Sequence, residues 1–595
     1  MKTIIGGLCM AVLLSATNDS RLSDAAMQGD RDAVRSLLAQ KVEVNAPQGD
    51  GTTALHWAAY KDDVEMAKML LAAGASVKAV TRIGAITPLF MASKNGSAQM
   101  LEILLKAGAD ANATDEHGTT ALMTAAASGS TDAVKMLIDH GADVNAKEGT
   151  HGQTALMFAA ALNRDAAIRL LLEHGADPSV TSKPVKLPPP GPRFDDGNPV
   201  PEAKEEKPAA AVPGKESATE QRAALDALAA SLGFKSAVYT AGKPEDGPAD
   251  LKTMVQKLSA KVDEMEKRLP GDKSKGEDGN NSMYGIIRER GTLDMGGLTA
   301  LLYAARDGHM EAAKALLEGG ANINEVSTSE KTSPLVMATM NGHFDLAKLF
   351  VDWGADPNLT NNQGLTALYA AVDLQWAPKG WFPAPGVGQE KTTYLDLMKA
   401  LLGTGANPNA RITKKLWFRS FGDHSWVDTA GATAFWRAAQ SSDVDAMRLL
   451  VDHGADPDIP TTHGATPLMA ASGIGWGYHY SMNAPDSWME AVRYCVQHGA
   501  DVNAADDRGY TALHGAAYLG NHEMIAYLID KGGDVKAVAK DKNTVADMAN
   551  GPTRFGIPHP ETVAMLEKLG SANSHNCRSD QCLVAPKEAK KPGDR

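Results

Sequence analysis

The stretch GTTALMTAAASGSTDAVKMLIDHGADVN, Gly118 to Asn145, decides the fold. Thr120 sits where a helix begins, and its hydroxyl satisfies a backbone N–H that has no partner within the helix. Ala125 and Ala126 give that helix a small face, so a neighbouring helix can approach closely. The second apolar run, Val134-Lys-Met-Leu-Ile138, predicts an outer helix, which Gly141 ends in a left-handed turn. The closing pair Gly-Ala, or Gly-Gly once, recurs at Gly74, Gly108, Gly141 and Gly175, then at Gly320, Gly354, Gly405, Gly454, Gly499 and Gly532. The base period is 33 or 34 residues, and the longer intervals are one period plus an insertion.

A second marker opens each unit: Gly51-Thr-Thr-Ala-Leu-His56, Gly152-Gln-Thr-Ala-Leu, Gly297-Leu-Thr-Ala-Leu, Gly364-Leu-Thr-Ala-Leu, Gly464-Ala-Thr-Pro-Leu and Gly509-Tyr-Thr-Ala-Leu-His514. Alanine or proline after the threonine is tolerated because no hydrogen bond is needed there. These residues strongly resemble the ankyrin repeat over 22–181 and 294–572, with Thr-Ala-Leu in most units where that family has Thr-Pro-Leu. The expected fold is an all-α ankyrin-repeat solenoid with short β-hairpin finger loops, about five units before a long interruption and seven after it. The end units depart from the pattern, with Lys41 at a glycine position and a proline-rich break in the last. Terminal repeats must present a solvated face, so atypical ends are expected. The resemblance implies that finger loops and first helices form a concave protein-binding face.

Residues 182–293 break the register as a proline-rich, partly helical insert. Ser182 to Ser217 holds nine prolines and reads as extended linker. From 250 to 269, Leu251, Met254, Leu258, Val262, Met265 and Leu269 share one helical stripe, which suits a short coiled coil or docking on the solenoid. The N-terminus, with Lys2, an apolar stretch from Ile4 to Leu14 and then Ser15-Ala-Thr17, has the layout of a secretory signal over 1–17. It predicts a bacterial-type chain exported to the periplasm or medium, with a cytoplasmic scaffold as the alternative. In the polar tail, 573–595, Cys577 and Cys582 are expected to form a local disulfide in an oxidising compartment. A metal site there, with His575, lacks a third and fourth ligand.

Over the full 595 residues the net charge is -13, which leaves no basic footprint for nucleic acid. No apolar run reaches the 18 or more residues that a membrane span needs. Twelve of the 16 histidines fall at fixed repeat positions, which argues against a metal or general-base role. Gly473-Ile-Gly-Trp-Gly477 follows a helix where a dinucleotide loop follows a strand. Gly242-Lys243 precedes Pro244, so it is no phosphate loop. The expected protein is therefore not an enzyme and uses neither cofactor nor metal.

Aromatic residues make up only 5% of the chain, yet seven of the nine tryptophans lie between Trp376 and Trp488. They sit in or beside three insertions, near 373–392, 412–427 and 473–487, with Trp436 alone in a regular helix slot. The candidate partner-binding residues are Trp376, Trp381 and Phe382 in the first, and Trp417, Phe418, Arg419, Phe421 and Trp426 in the second. Trp476, Tyr478, Tyr480 and Trp488 belong to the third. Trp, Tyr and Arg dominate binding hot spots, which favours a protein partner of unknown identity. A glycan stacked on the rings is the alternative ligand, and mutual packing that merely holds long loops down is the structural alternative. The first and third insertions separate the two helices of a unit, whereas the second enlarges a finger, so one shared site requires the loops to fold over.

Overall fold

The computed structural model describes residues 19–187, 293–376, 387–414, 416, 427–476, 484, 488–552, 556–575 and 577–579. The expected signal segment and the 250–269 stripe lie outside them. The chain divides into two units, Met1–Pro189 with Glu289–Arg595, and Pro190–Arg288. All described residues belong to the first.

Those residues form twelve helix pairs, from Arg21–Gln28 with Arg31–Ala39 to Val545–Ala549 with Pro560–Lys568. Five pairs precede the long insert and seven follow it. The local cause is capping: Thr87, Thr120, Thr299, Thr366, Thr433 and Thr466 each accept the N–H three residues on. The alanine pairs behind them are buried, as at Ala58-Ala59, Ala125-Ala126 and Ala304-Ala305. Outer helices bury a leucine at matching positions, such as Leu70, Leu104, Leu137, Leu171 and Leu450, each stabilising by about 1.5–3 kcal/mol. Gly141 at φ +84° and its equivalents end the outer helices, and no neighbour lies within 4 Å of a Cβ there, so backbone conformation alone explains the glycine.

Adjacent fingers are tied by single backbone bonds, including Glu116 N to Gly84 O at 3.1 Å and Asp507 N to His463 O at 2.9 Å. Asparagines behind the outer helices add a two-way clasp. Asn409 Nδ2 donates to Gly454 O at 3.0 Å, and its Oδ1 accepts from Asp456 N at 2.8 Å. Asn45, Asn112, Asn145, Asn358 and Asn503 repeat that arrangement.

The solenoid runs without interruption past the long insert. Helix Ala155–Ala161 packs on Ala300–Asp307, and Asp165–Glu173 packs on Met310–Glu318. Gln153 Nε2 donates to the Tyr303 hydroxyl at 2.6 Å, Ala312 N donates to Asn163 Oδ1 at 3.0 Å, and Arg169 pairs with Glu318. The insert departs from a finger whose stem is an antiparallel ribbon, β1 (Pro184–Leu187) against β2 (Leu293–Gly296), with Val185 opposite Met295. That finger keeps its place in the row through Lys183 N to His151 O at 2.6 Å and Thr328 N to Gly297 O at 3.0 Å.

In the second unit the marker ends in His56, whose imidazole stitches two units together. Thr53 N donates to His56 Nδ1 at 3.2 Å, which leaves the proton on Nε2, 2.9 Å from Ile86 O in the next unit. In the equivalent His514, burial pushes the imidazole down to about 4. The folded ring stays neutral to about that pH, whereas an unfolded one takes its proton near 6.5. Stability from this site is complete above 6.5 and is lost as pH falls toward 4, by on the order of 3 kcal/mol. Unfolding free energies at pH 7.5 and 4.5 should differ less in His514→Gln than in the wild type. An unchanged difference would contradict this account.

Candidate interaction site

The fourth residue of each first helix points toward the inner face of the solenoid, and its identity changes along the array. Early units carry Trp57, Met91, Thr124 and Phe158 and the seventh carries Met337, all half-exposed, while Tyr303 of the sixth is buried. From the eighth unit the position holds Ala370, Arg437, Ala470 and Gly515, all buried. Small residues there leave room for chain to cross the inner face, and the described ends of the three insertions do cross it.

Gly515 shows the crossing most directly. A Cβ on it would lie 2.7 Å from Ser472 O and 2.9 Å from Ile474 N, so the backbone that opens the third insertion rests on this helix. Gly475 faces Val427, where a Cβ would come within 3.2 Å of the valine Cβ and 3.4 Å of Gln440 Nε2. Val427 is the residue at which the second insertion returns, so the second and third insertions meet. Ala484, further along the third, donates its N–H to Ser441 O at 2.9 Å.

The first insertion reaches the same place through a buried polar cluster. Arg437 Nε lies 2.8 Å from Asp373 Oδ1, with both side chains only 7% exposed. The guanidinium also donates to Trp376 O at 2.8 Å and to Ser441 Oγ. Trp376 Nε1 and the Tyr394 hydroxyl both donate to Asp443 Oδ2, at 2.7 and 2.9 Å, with the rings edge to face. Asp443 Oδ1 meanwhile caps the following helix through Ala446 N. Burial, and then the Asp443 charge, push the Tyr394 phenol well above its ordinary range, so it remains a donor. Glu390 and Asp345 anchor the far end of this insertion: Asp345 N donates to Glu390 Oε2, and the Asp345 carboxylate accepts from Lys391 N and Thr392 N.

The described ends of all three insertions thus converge on the turn at Ser441–Asp443 and the helix Ala434–Gln440 before it. Among the candidate residues, Trp376, Trp476 and Trp488 are described and half-exposed. Trp476 stands edge to face on Trp488 at 4.7 Å between centroids. Trp488 opens the outer helix Trp488–Gln497, and Trp376 follows the helix Ala367–Gln375, which takes in the start of the expected 373–392 insertion. Trp381, Phe382, Trp417, Phe418, Arg419, Phe421, Trp426, Tyr478 and Tyr480 lie outside the described residues. Arg437, Asp373, Asp443 and Gly515 were not among the candidates. For Arg437 and Gly515 the signal is positional, a charge or a glycine where Trp57, Met91, Phe158 and Met337 stand in other units, whereas Asp443 is a helix cap like Asp30 and Asp63.

Cys495 is buried, and burial drives its thiol far above the ordinary range, which makes it unreactive. Cys577 is disulfide-bonded to a cysteine outside the described residues. Among the described residues, no cluster of three or more His, Cys, Asp or Glu could hold a metal ion, and no helix is long and apolar enough to cross a membrane.

A stack of helix pairs with a row of hydrogen-bonded fingers defines a repeat solenoid. Ankyrin-repeat profiles match 22–115, 89–182, 280–361 and 301–377, a single-repeat profile matches 430–462, and a further one matches 478–529. Together these segments span more than half of the 595 residues, and the chain belongs to the ankyrin-repeat family. A 57-residue stretch is also 46% identical to part of the palmitoyltransferase akr1 of Schizosaccharomyces pombe. That match covers 9% of this chain and 9% of the length of that relative.

Proposed function

We propose that this protein is a non-catalytic scaffold that holds a protein partner along the open inner face of its first seven units and against the aromatic loops gathered over units eight to ten. The observation that carries the reading is the change in the fourth helix position. Large side chains such as Trp57, Phe158 and Met337 stay half-exposed on a rigid frame, and the chain covers the same row itself further on. A frame already ordered loses little conformational entropy on binding, so apolar contact translates efficiently into affinity. The short likeness to a transferase covers too little of either chain to argue for catalysis.

Capture of partners from the native source, compared between wild type and two variant sets, tests this reading. Trp57→Ala with Met337→Ala probes the open face, and Trp381→Ala, Trp417→Ala and Trp476→Ala probe the loops. Each set is expected to weaken capture at least tenfold, the loss of about 1.4 kcal/mol that a hot-spot side chain exceeds. Unchanged capture with lowered stability would assign the aromatics to packing, and loss of glycan binding alone would favour the stacking alternative. We also propose export, supported by the 1–17 segment and the oxidised Cys577. N-terminal sequencing of the mature protein should begin near residue 18, and an intact Met1 would refute this.

A further inference from the structure

The tail was expected to be a polar extension, yet residues 571–575 and 577–579 run back along the last helix pair. The contacts advance in step with the sequence. Ala546 N donates to Ser571 Oγ at 3.1 Å, and Thr544 Oγ1 donates to Ala572 O at 2.5 Å. Ser574 gives both its N–H and its hydroxyl to Asp547 Oδ1, each at 2.7 Å. Arg578 N then donates to Gly551 O at 3.0 Å, past the far end of helix Val545–Ala549. Ser579 is buried, and a Cβ on Gly551 would come within 2.9 Å of the Ser579 Cβ and 3.3 Å of Cys577 Sγ. Val545, Met548 and Ala549 of that helix are fully buried.

We propose that residues 571–579 are a strap that caps the twelfth helix pair, and that the disulfide at Cys577 is a redox lock on that strap. The polar contacts alone are few and end at a solvated tail, so local opening is inexpensive unless a covalent link restricts the open state. A dithiol reductant delivers two electrons and two protons to the S–S bond. Two cysteine thiols result, the reductant becomes a disulfide, and the strap loses its only covalent restraint. In an oxidising compartment the last unit stays capped, and under reduction its apolar end face opens.

Hydrogen exchange on the full-length protein, followed by mass spectrometry with and without dithiothreitol, reads this directly. Amides in 544–551 and 571–579 should exchange about tenfold faster after reduction, a change of about 1.4 kcal/mol in local opening. Units three and four, around 88–139, should keep their rates and so report an intact fold. Cys577→Ser in oxidised protein should reproduce the reduced pattern, because it removes the bridge whichever cysteine closes it. Ser574→Ala should also accelerate the same peptides while leaving the disulfide in place. The proposal is overturned if the 544–551 peptides are indifferent to both reduction and Cys577→Ser, or if all units loosen equally.

Discussion

Arg437→Ala should cost about 3–5 kcal/mol, the largest single effect expected in the second half of the solenoid. The guanidinium pairs with Asp373 from the preceding unit and also holds Trp376 O, and both charged side chains are 7% exposed. Its removal takes the Arg437 charge away from a buried carboxylate, which is far costlier than the pair is valuable. Repeat arrays do not always unfold in one step, so urea denaturation should be read together with hydrogen exchange at units eight to ten. A loss below about 1 kcal/mol would show the pair to be solvent-screened and the account wrong. Replacing both partners, Asp373→Leu with Arg437→Leu, should recover much of the loss, because two apolar groups carry no desolvation penalty there. The same double variant is expected to release Trp376 from its place, which separates loop positioning from stability.

Gly515→Ala is expected to destabilise by about 1–3 kcal/mol, against the sign that helix propensity predicts. Alanine in a helix interior ordinarily gains up to about 1 kcal/mol over glycine. Here the added methyl meets backbone atoms of Ser472 and Ile474 at 2.7 and 2.9 Å, and a backbone cannot turn aside as a flexible side chain can. Gly403→Ala supplies the control: it lies in helix Tyr394–Gly403 with nothing within 4 Å of a Cβ, and it should be neutral or stabilising. Midpoints of urea unfolding compare the two. Equal signs for both variants would mean that the third insertion does not rest on helix Ala512–Tyr518.

The helix pairs and their capping were legible in the sequence because each depends on residues within one period. Thr120 caps Met123 three positions on, and Gly141 ends the helix that holds Leu137. The aromatic insertions were also visible, as lengthened intervals rich in tryptophan. Their meeting point was not, because Arg437 and Asp373 are 64 positions apart and Trp376 and Asp443 are 67 apart. No periodicity links such residues. The strap was misread for the same reason, since Ser571 to Ser579 is polar by composition and is ordered only by what it touches.

The sequence by itself therefore determined the repeat and its count on either side of the insert. Those properties follow from local capping and from small-residue faces, and they survive any arrangement of the loops. Only the tertiary structure decided that the two arrays stack as one across the insert. It likewise decided that the described ends of three insertions gather on one turn and that the tail returns to the twelfth helix pair. Each of these rests on contacts between chain segments far apart in sequence, whose free energy exists only once the solenoid has set them side by side.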